Sequence, residues 1–131
     1  MKPFIYSLLI LAFLFTACKS KSGSADAQST PAGTANMIFD AAKSGDYSKL
    51  KGLCNAALEQ DTDSKKICEV PDGDEKLKNN FKEYFSKGKV VGDATIEGDD
   101  AKLNIMFGPD GTTSETFNMK KKDGKWYLMS F

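Results

Sequence analysis

Up to Gly88 the apolar residues of this chain recur every three or four positions; from Val90 onward they fall on every second one. A single change of period without return confines the chain to helices followed by antiparallel strands, an α+β arrangement with the helices on one sheet face. Val90, Ala94 and Ile96 alternate in a first strand, Leu103, Ile105 and Phe107 in a second, Phe117 and Met119 in a third, and Trp126 and Leu128 in a fourth. The connections are Glu97-Gly98-Asp99-Asp100, Gly108-Pro109-Asp110-Gly111 and Asp123-Gly124. Asp-Gly between strand patterns is a strong hairpin signal, because both central residues of the favoured turn have positive φ. Strict alternation puts Tyr127, Met129 and Phe131 opposite Trp126 and Leu128, leaving an outer face partly apolar and open to a partner.

Three helices are expected before the sheet. The first runs from Thr34, as N-cap, to Ser44, with Ala35, Ile38, Phe39 and Ala42 inward and Gly45 as its stop. The second is capped by Asp46 and carries the stripe Leu50, Leu53, Cys54, Ala57 and Leu58. Residues 59 to 73 are polar and read as a loop. The third starts near Asp74, buries Leu77, Phe81, Tyr84 and Phe85, and ends at Gly88.

Composition removes several functions. Histidine is absent, which takes away the commonest metal ligand and the commonest acid/base group near neutral pH. Lysine plus arginine equals aspartate plus glutamate at 18 each, so no net field draws in nucleic acid.

The N-terminus carries its own signals. Lys2 precedes the apolar run FIYSLLILAFLF, residues 4 to 15, which is shorter than the roughly 20 residues of a spanning helix and has the layout of a signal peptide. The following Leu14-Phe15-Thr16-Ala17-Cys18 resembles a lipobox, with Phe15 where that motif carries an aliphatic residue. The resemblance implies removal of residues 1 to 17, acylation of Cys18 and a membrane-anchored lipoprotein. With Lys19 rather than an acidic residue after the cysteine, analogy with sorting in double-membrane bacteria implies the outer membrane, facing the periplasm. Residues 18 to 33, rich in Ser, Ala and Gly, then read as the acylated cysteine and a flexible tether, and 34 to 131 as the domain. Cys54 and Cys68 remain, an even pair in an oxidising compartment; a disulfide is expected, with two buried free thiols as the alternative.

MIFDAAKSGDYSKLKGL (37 to 53), AKLNIMFGPDGTTSETFNM (101 to 119) and KKKDGKWYLMSF (120 to 131) together resemble the NTF2-like superfamily, in particular the DUF4878-type domains of bacterial lipoproteins. The resemblance implies a cone: a curved four-stranded antiparallel meander with about three N-terminal helices in its concavity, often around a pocket. Enzymes of this superfamily, such as ketosteroid isomerase and scytalone dehydratase, use acidic, tyrosine or histidine residues inside the cone. None of those carries over to Tyr47, Tyr84, Tyr127 or Asp93, so no catalytic residue and no cofactor is assigned.

Three further clusters bear on function. The acids Asp61, Asp63, Glu69, Asp72, Asp74 and Glu75 fail the calcium-loop pattern, since Lys65 and Lys66 stand where a ligand and a glycine belong; no metal site is assigned. Lys120, Lys121 and Lys122 read as a solvated hairpin. The aromatic residues Phe81, Phe85, Phe107, Phe117, Trp126 and Phe131 read first as core, with the walls of a ligand pocket as the alternative. The expected function is a non-catalytic binding or assembly domain of the cell envelope, acting as a homodimer or with an envelope protein; the alternative is a small apolar ligand held in the cone.

Overall fold

The computed structural model describes residues 24–131, so Cys18 and the signal segment lie outside the described residues. Four strands, β1 (Lys89–Glu97), β2 (Asp100–Phe107), β3 (Thr113–Lys122) and β4 (Lys125–Ser130), form one antiparallel sheet in the order β1-β2-β3-β4. The turns between them follow their chemistry. Asp123 and Gly124 both take positive φ, 51° and 79°, as a two-residue hairpin loop with a primed turn requires. The inner face carries Ala101, Leu103 and Ile105 of β2, Phe117 and Met119 of β3, and Trp126 and Leu128 of β4, all buried.

Helix α1 (Pro31–Ser44) covers this face, burying Ala35, Ile38, Phe39 and Ala42. It begins earlier than the sequence pattern implied. Thr30 is the cap, its hydroxyl accepting from the Gly33 amide, and Pro31 sits where a helix tolerates it best. Thr34 is instead fully buried, its hydroxyl donating to the Thr30 and Trp126 carbonyls. Ahead of α1, Ser24–Ser29, within the stretch that reads as tether, form a 3₁₀ segment. Gln28 fastens it: the buried side-chain amide donates to the carbonyls of Gly52 and Trp126, both at 3.2 Å.

The expected second helix shrinks to a 3₁₀ segment, Ser48–Leu53, with Leu50 and Leu53 buried. Cys54 is already extended, and Ala57 is exposed rather than inward. Local side-chain bonds compete with the helix here: the Asn55 carboxamide accepts from Ala57 N–H, and the Gln60 carboxamide from Asn55 N–H. The helix appears instead in the stretch read as loop, as α2 (Thr62–Glu69), capped by Asp61 and burying Ser64, Ile67 and Cys68. A disulfide joins Cys54 to Cys68, with Cα atoms 5.9 Å apart.

Helix α3 (Glu75–Phe85) is capped by Asp74 as its sequence implied. Gly88 is not its left-handed stop, since Ser86 caps the helix and Gly88 is absent from the positive-φ residues. A Cβ there would lie 2.2 Å from Cδ1 of Phe39, so the glycine is needed for close approach.

Both edge strands are irregular. In β1 the register shifts between Val91 and Thr95, around Gly92 at φ 70°. In β4 Leu128 faces Met119, but Ser130 faces Asn118, so Met129 is an extra residue. The parity flips there, and Phe131 packs inward, against Phe85, Phe107 and Phe117. The outer face is largely polar, with Lys102, Asn104, Thr116, Asn118 and Lys120 on it, Tyr127 buried, and Val91 exposed beside Asn104 on β1.

The free edge of β4 is covered rather than open. Gln60 donates to the Leu128 carbonyl and the Asp61 amide to that of Met129, beside the Gln28 and Thr34 bonds to Trp126. Covering an edge in this way removes a template for strand pairing.

Candidate functional site

The inner face of the sheet is filled by side chains along most of its length. Phe39 of α1 stacks on Phe117 and Phe85 at centroid distances of 6.1 and 6.5 Å, and Phe117 is fully buried. Trp126 is 3 % exposed beneath the 3₁₀ segment fastened by Gln28, with the Lys121 ammonium 6.0 Å from its ring centroid. Phe117 and Trp126 are therefore core residues, not walls of a cavity.

The packing stops at the end of the molecule where α2, α3, β2 and Phe131 meet. There a groove of about 220 Å³ is lined by Ile67 and Val70 from the α2 side, Leu77, Phe81, Tyr84 and Phe85 from α3, Phe107 from β2, and Phe131. Each wall residue arrives for a local reason. The i, i+4, i+7, i+8 spacing of Leu77, Phe81, Tyr84 and Phe85 puts them on one side of α3. Phe107 continues the inward parity of β2, and Phe131 is delivered by the extra residue at Met129. Phe85 sits at the floor, 5.1 Å from Phe81, 5.5 Å from Phe107 and 6.0 Å from Phe131, ring to ring. Tyr84, 46 % exposed, stands at the mouth.

Charge is confined to the rim. The Lys66 ammonium donates to the Asp63 carboxylate at 2.9 Å, and this hydrogen bond, with the carboxylate's charge, holds Lys66 above the ordinary ammonium range. Both side chains are more than half exposed, so the pair contributes little to stability but keeps a neutral, hydrated lip around apolar walls. Asn80 is the remaining polar side chain of the lining.

Of the six aromatic residues weighed as pocket walls, Phe81, Phe85, Phe107 and Phe131 line the groove, and Phe117 and Trp126 are core. Tyr84 completes the walls, and strict alternation along β4 would have put Phe131 on the opposite face. A bulge leaves no mark on the alternation itself, so only the four consecutive large residues ahead of Ser130, Trp126-Tyr127-Leu128-Met129, hinted at it. Ile67 and Val70 are isolated apolar residues within the polar stretch 59 to 73.

Four of the six acidic residues between 61 and 75 have other tasks: Asp61 and Asp74 cap helices, Asp63 pairs with Lys66, and Asp72 pairs with Lys51 at 2.8 Å. No group of three or more histidine, cysteine, aspartate or glutamate side chains among the described residues is placed to hold a metal ion. No helix among them is long and apolar enough to cross a membrane. The chain matches no protein-family model, and comparison with curated proteins and with solved structures finds no match.

Proposed function

We propose that this chain is a lipid-anchored protein of the bacterial cell envelope whose domain binds, without chemistry, the apolar part of a small molecule in the groove beneath Tyr84. The groove carries the proposal: five aromatic side chains and three aliphatic ones converge on one opening, and the only charges at its lip neutralise each other. Its volume equals about seven water volumes of roughly 30 Å³ each, below the ~300 Å³ of drug-sized pockets. That room suits a short hydrocarbon chain or a single ring system, with any polar part left in solvent.

Helices on one face of a four-stranded antiparallel meander, with bulged edge strands, support an NTF2-like cone. The lipobox-like stretch ending at Cys18 supports the anchor, and the Cys54–Cys68 bridge is in keeping with an exported chain. Lys19 after the cysteine favours the outer membrane, facing the periplasm. The other reading, assembly through the outer sheet face as a homodimer or with an envelope protein, has less behind it, because that face is largely polar and Tyr127 is buried in it.

Native mass spectrometry of the exported chain tests the binding reading. With Cys18→Ser and a signal-peptidase I site in place of the lipobox, the purified protein is expected to carry an added mass that organic extraction removes and Phe131→Ala abolishes. An added mass that survives Phe131→Ala sits elsewhere and sinks the groove assignment. The anchor is tested by fractionation: Cys18→Ser should move the chain from the membrane pellet to the soluble fraction, and an unchanged pellet would reject it.

A further inference from the structure

Helix α2 forms one side of the groove and is fastened differently at its two ends. At its start, Asp61 donates its amide to the Met129 carbonyl at 2.9 Å and caps the helix with its carboxylate, while Gln60 bridges the Leu53 and Leu128 carbonyls. At its far end, where Ile67 and Val70 supply the wall, the covalent fastening is the bond from Cys68 to Cys54. The helix has few resources of its own. It spans eight residues, far short of what holds together alone in water. Its buried apolar side chains are Ile67 and Cys68, and its buried Ser64 hydroxyl has no hydrogen-bond partner among the described residues.

We propose that the groove is under redox control: the Cys54–Cys68 bond holds α2 in place as its wall, and reduction loosens that wall and weakens apolar-ligand binding while the sheet stays folded. The proposal rests on the groove being the binding site. Cys54 is the less buried of the two cysteines and is taken as the point of attack. A thiolate of a dithiol reductant attacks it, the Cys68 sulfur leaves and takes a proton, and a mixed disulfide forms. The reductant's second thiol then displaces Cys54, so two electrons and two protons end on the cysteines and the reductant becomes a disulfide. A chain still reduced would bind poorly, and entry into an oxidising compartment would complete the site.

The test uses residues 18–131 with Cys18→Ser, oxidised or held in dithiothreitol, with the buried Trp126 reporting the core by its fluorescence. Fluorescence titration with N-phenyl-1-naphthylamine should give saturable binding to the oxidised form, abolished by Phe131→Ala, and at least tenfold weaker binding to the reduced form. Amide hydrogen exchange over residues 64–70 should accelerate by about a hundredfold on reduction, the scale set by releasing a loop of this length, with β2 and β3 unchanged. Equal affinity in both forms, unchanged exchange over 64–70, or a global loss of the Trp126 signal on reduction would each overturn redox control. If exchange accelerates as expected but neither form binds, or Phe131→Ala has no effect on the oxidised form, the groove reading itself fails.

Discussion

Gly88 shows how little at the level of one residue is read from residue type alone. The sequence invites a helix stop; the structure uses the missing Cβ to let Phe39 lie on the backbone. Gly88→Ala should therefore cost about 1 to 3 kcal/mol, the range for forcing an extra methyl into a packed core, and no measurable loss would mean that Phe39 does not need the missing Cβ. Denaturant unfolding followed by Trp126 fluorescence checks it. Phe81 is 5 % exposed, packs edge-on against Tyr47 at 5.7 Å and also lines the groove. Its burial puts Phe81→Ala at about 3 to 5 kcal/mol of lost stability by the same assay. A loss below about 1 kcal/mol would mean that the ring only lines open space. The candidate wall residues were legible as aromatic and inward; which of them meet a void was not, because that depends on what the helices fill. Phe39 reaches Phe117, and the 3₁₀ segment covers Trp126, so neither is left to a ligand.

At the scale of elements, periodicity found the four strands, α1 and α3, and the capping aspartate of α3, since each has several apolar residues in register. It failed where the local chemistry is stronger than the stripe. The run from Leu50 to Leu58 has a helical stripe, but bonds from Asn55 and Gln60 to nearby backbone end the turn at Leu53. The run from Thr62 to Glu69 has almost no stripe and is a helix because Asp61 caps it and the bridge holds it. Loss of the bridge in Cys54→Ala/Cys68→Ala should lower global stability by about 3 kcal/mol, measured by urea unfolding; no change would mean that α2 is held by packing alone. The segment before α1 makes a parallel case. A flexible tether would be indifferent to Gln28→Ala, but here the substitution removes hydrogen bonds to Gly52 and Trp126 and should cost about 1 kcal/mol, with faster exchange in β4.

Across the whole molecule, these local facts leave one end of the sheet filled and the other unfinished. The inner face is closed over by α1 and the 3₁₀ segments, the outer face is largely polar, and the free edge of β4 is covered by Gln28, Thr34, Gln60 and Asp61. Among the described residues, the groove between α2 and α3 is an opening that is apolar within and charge-balanced at its lip. An overall charge balance of 18 against 18 removes long-range steering, so recognition there is expected to be by shape and apolar contact, with little dependence on salt. The most direct measurement is a methyl and amide NMR titration of the Cys18→Ser chain with a neutral octyl-chain amphiphile below its micelle concentration. Shifts confined to Ile67, Val70, Leu77, Tyr84 and Phe131 and saturating together would establish the groove as the binding site; no saturable shift, or shifts centred on the outer face around Asn104 and Thr116, would contradict it.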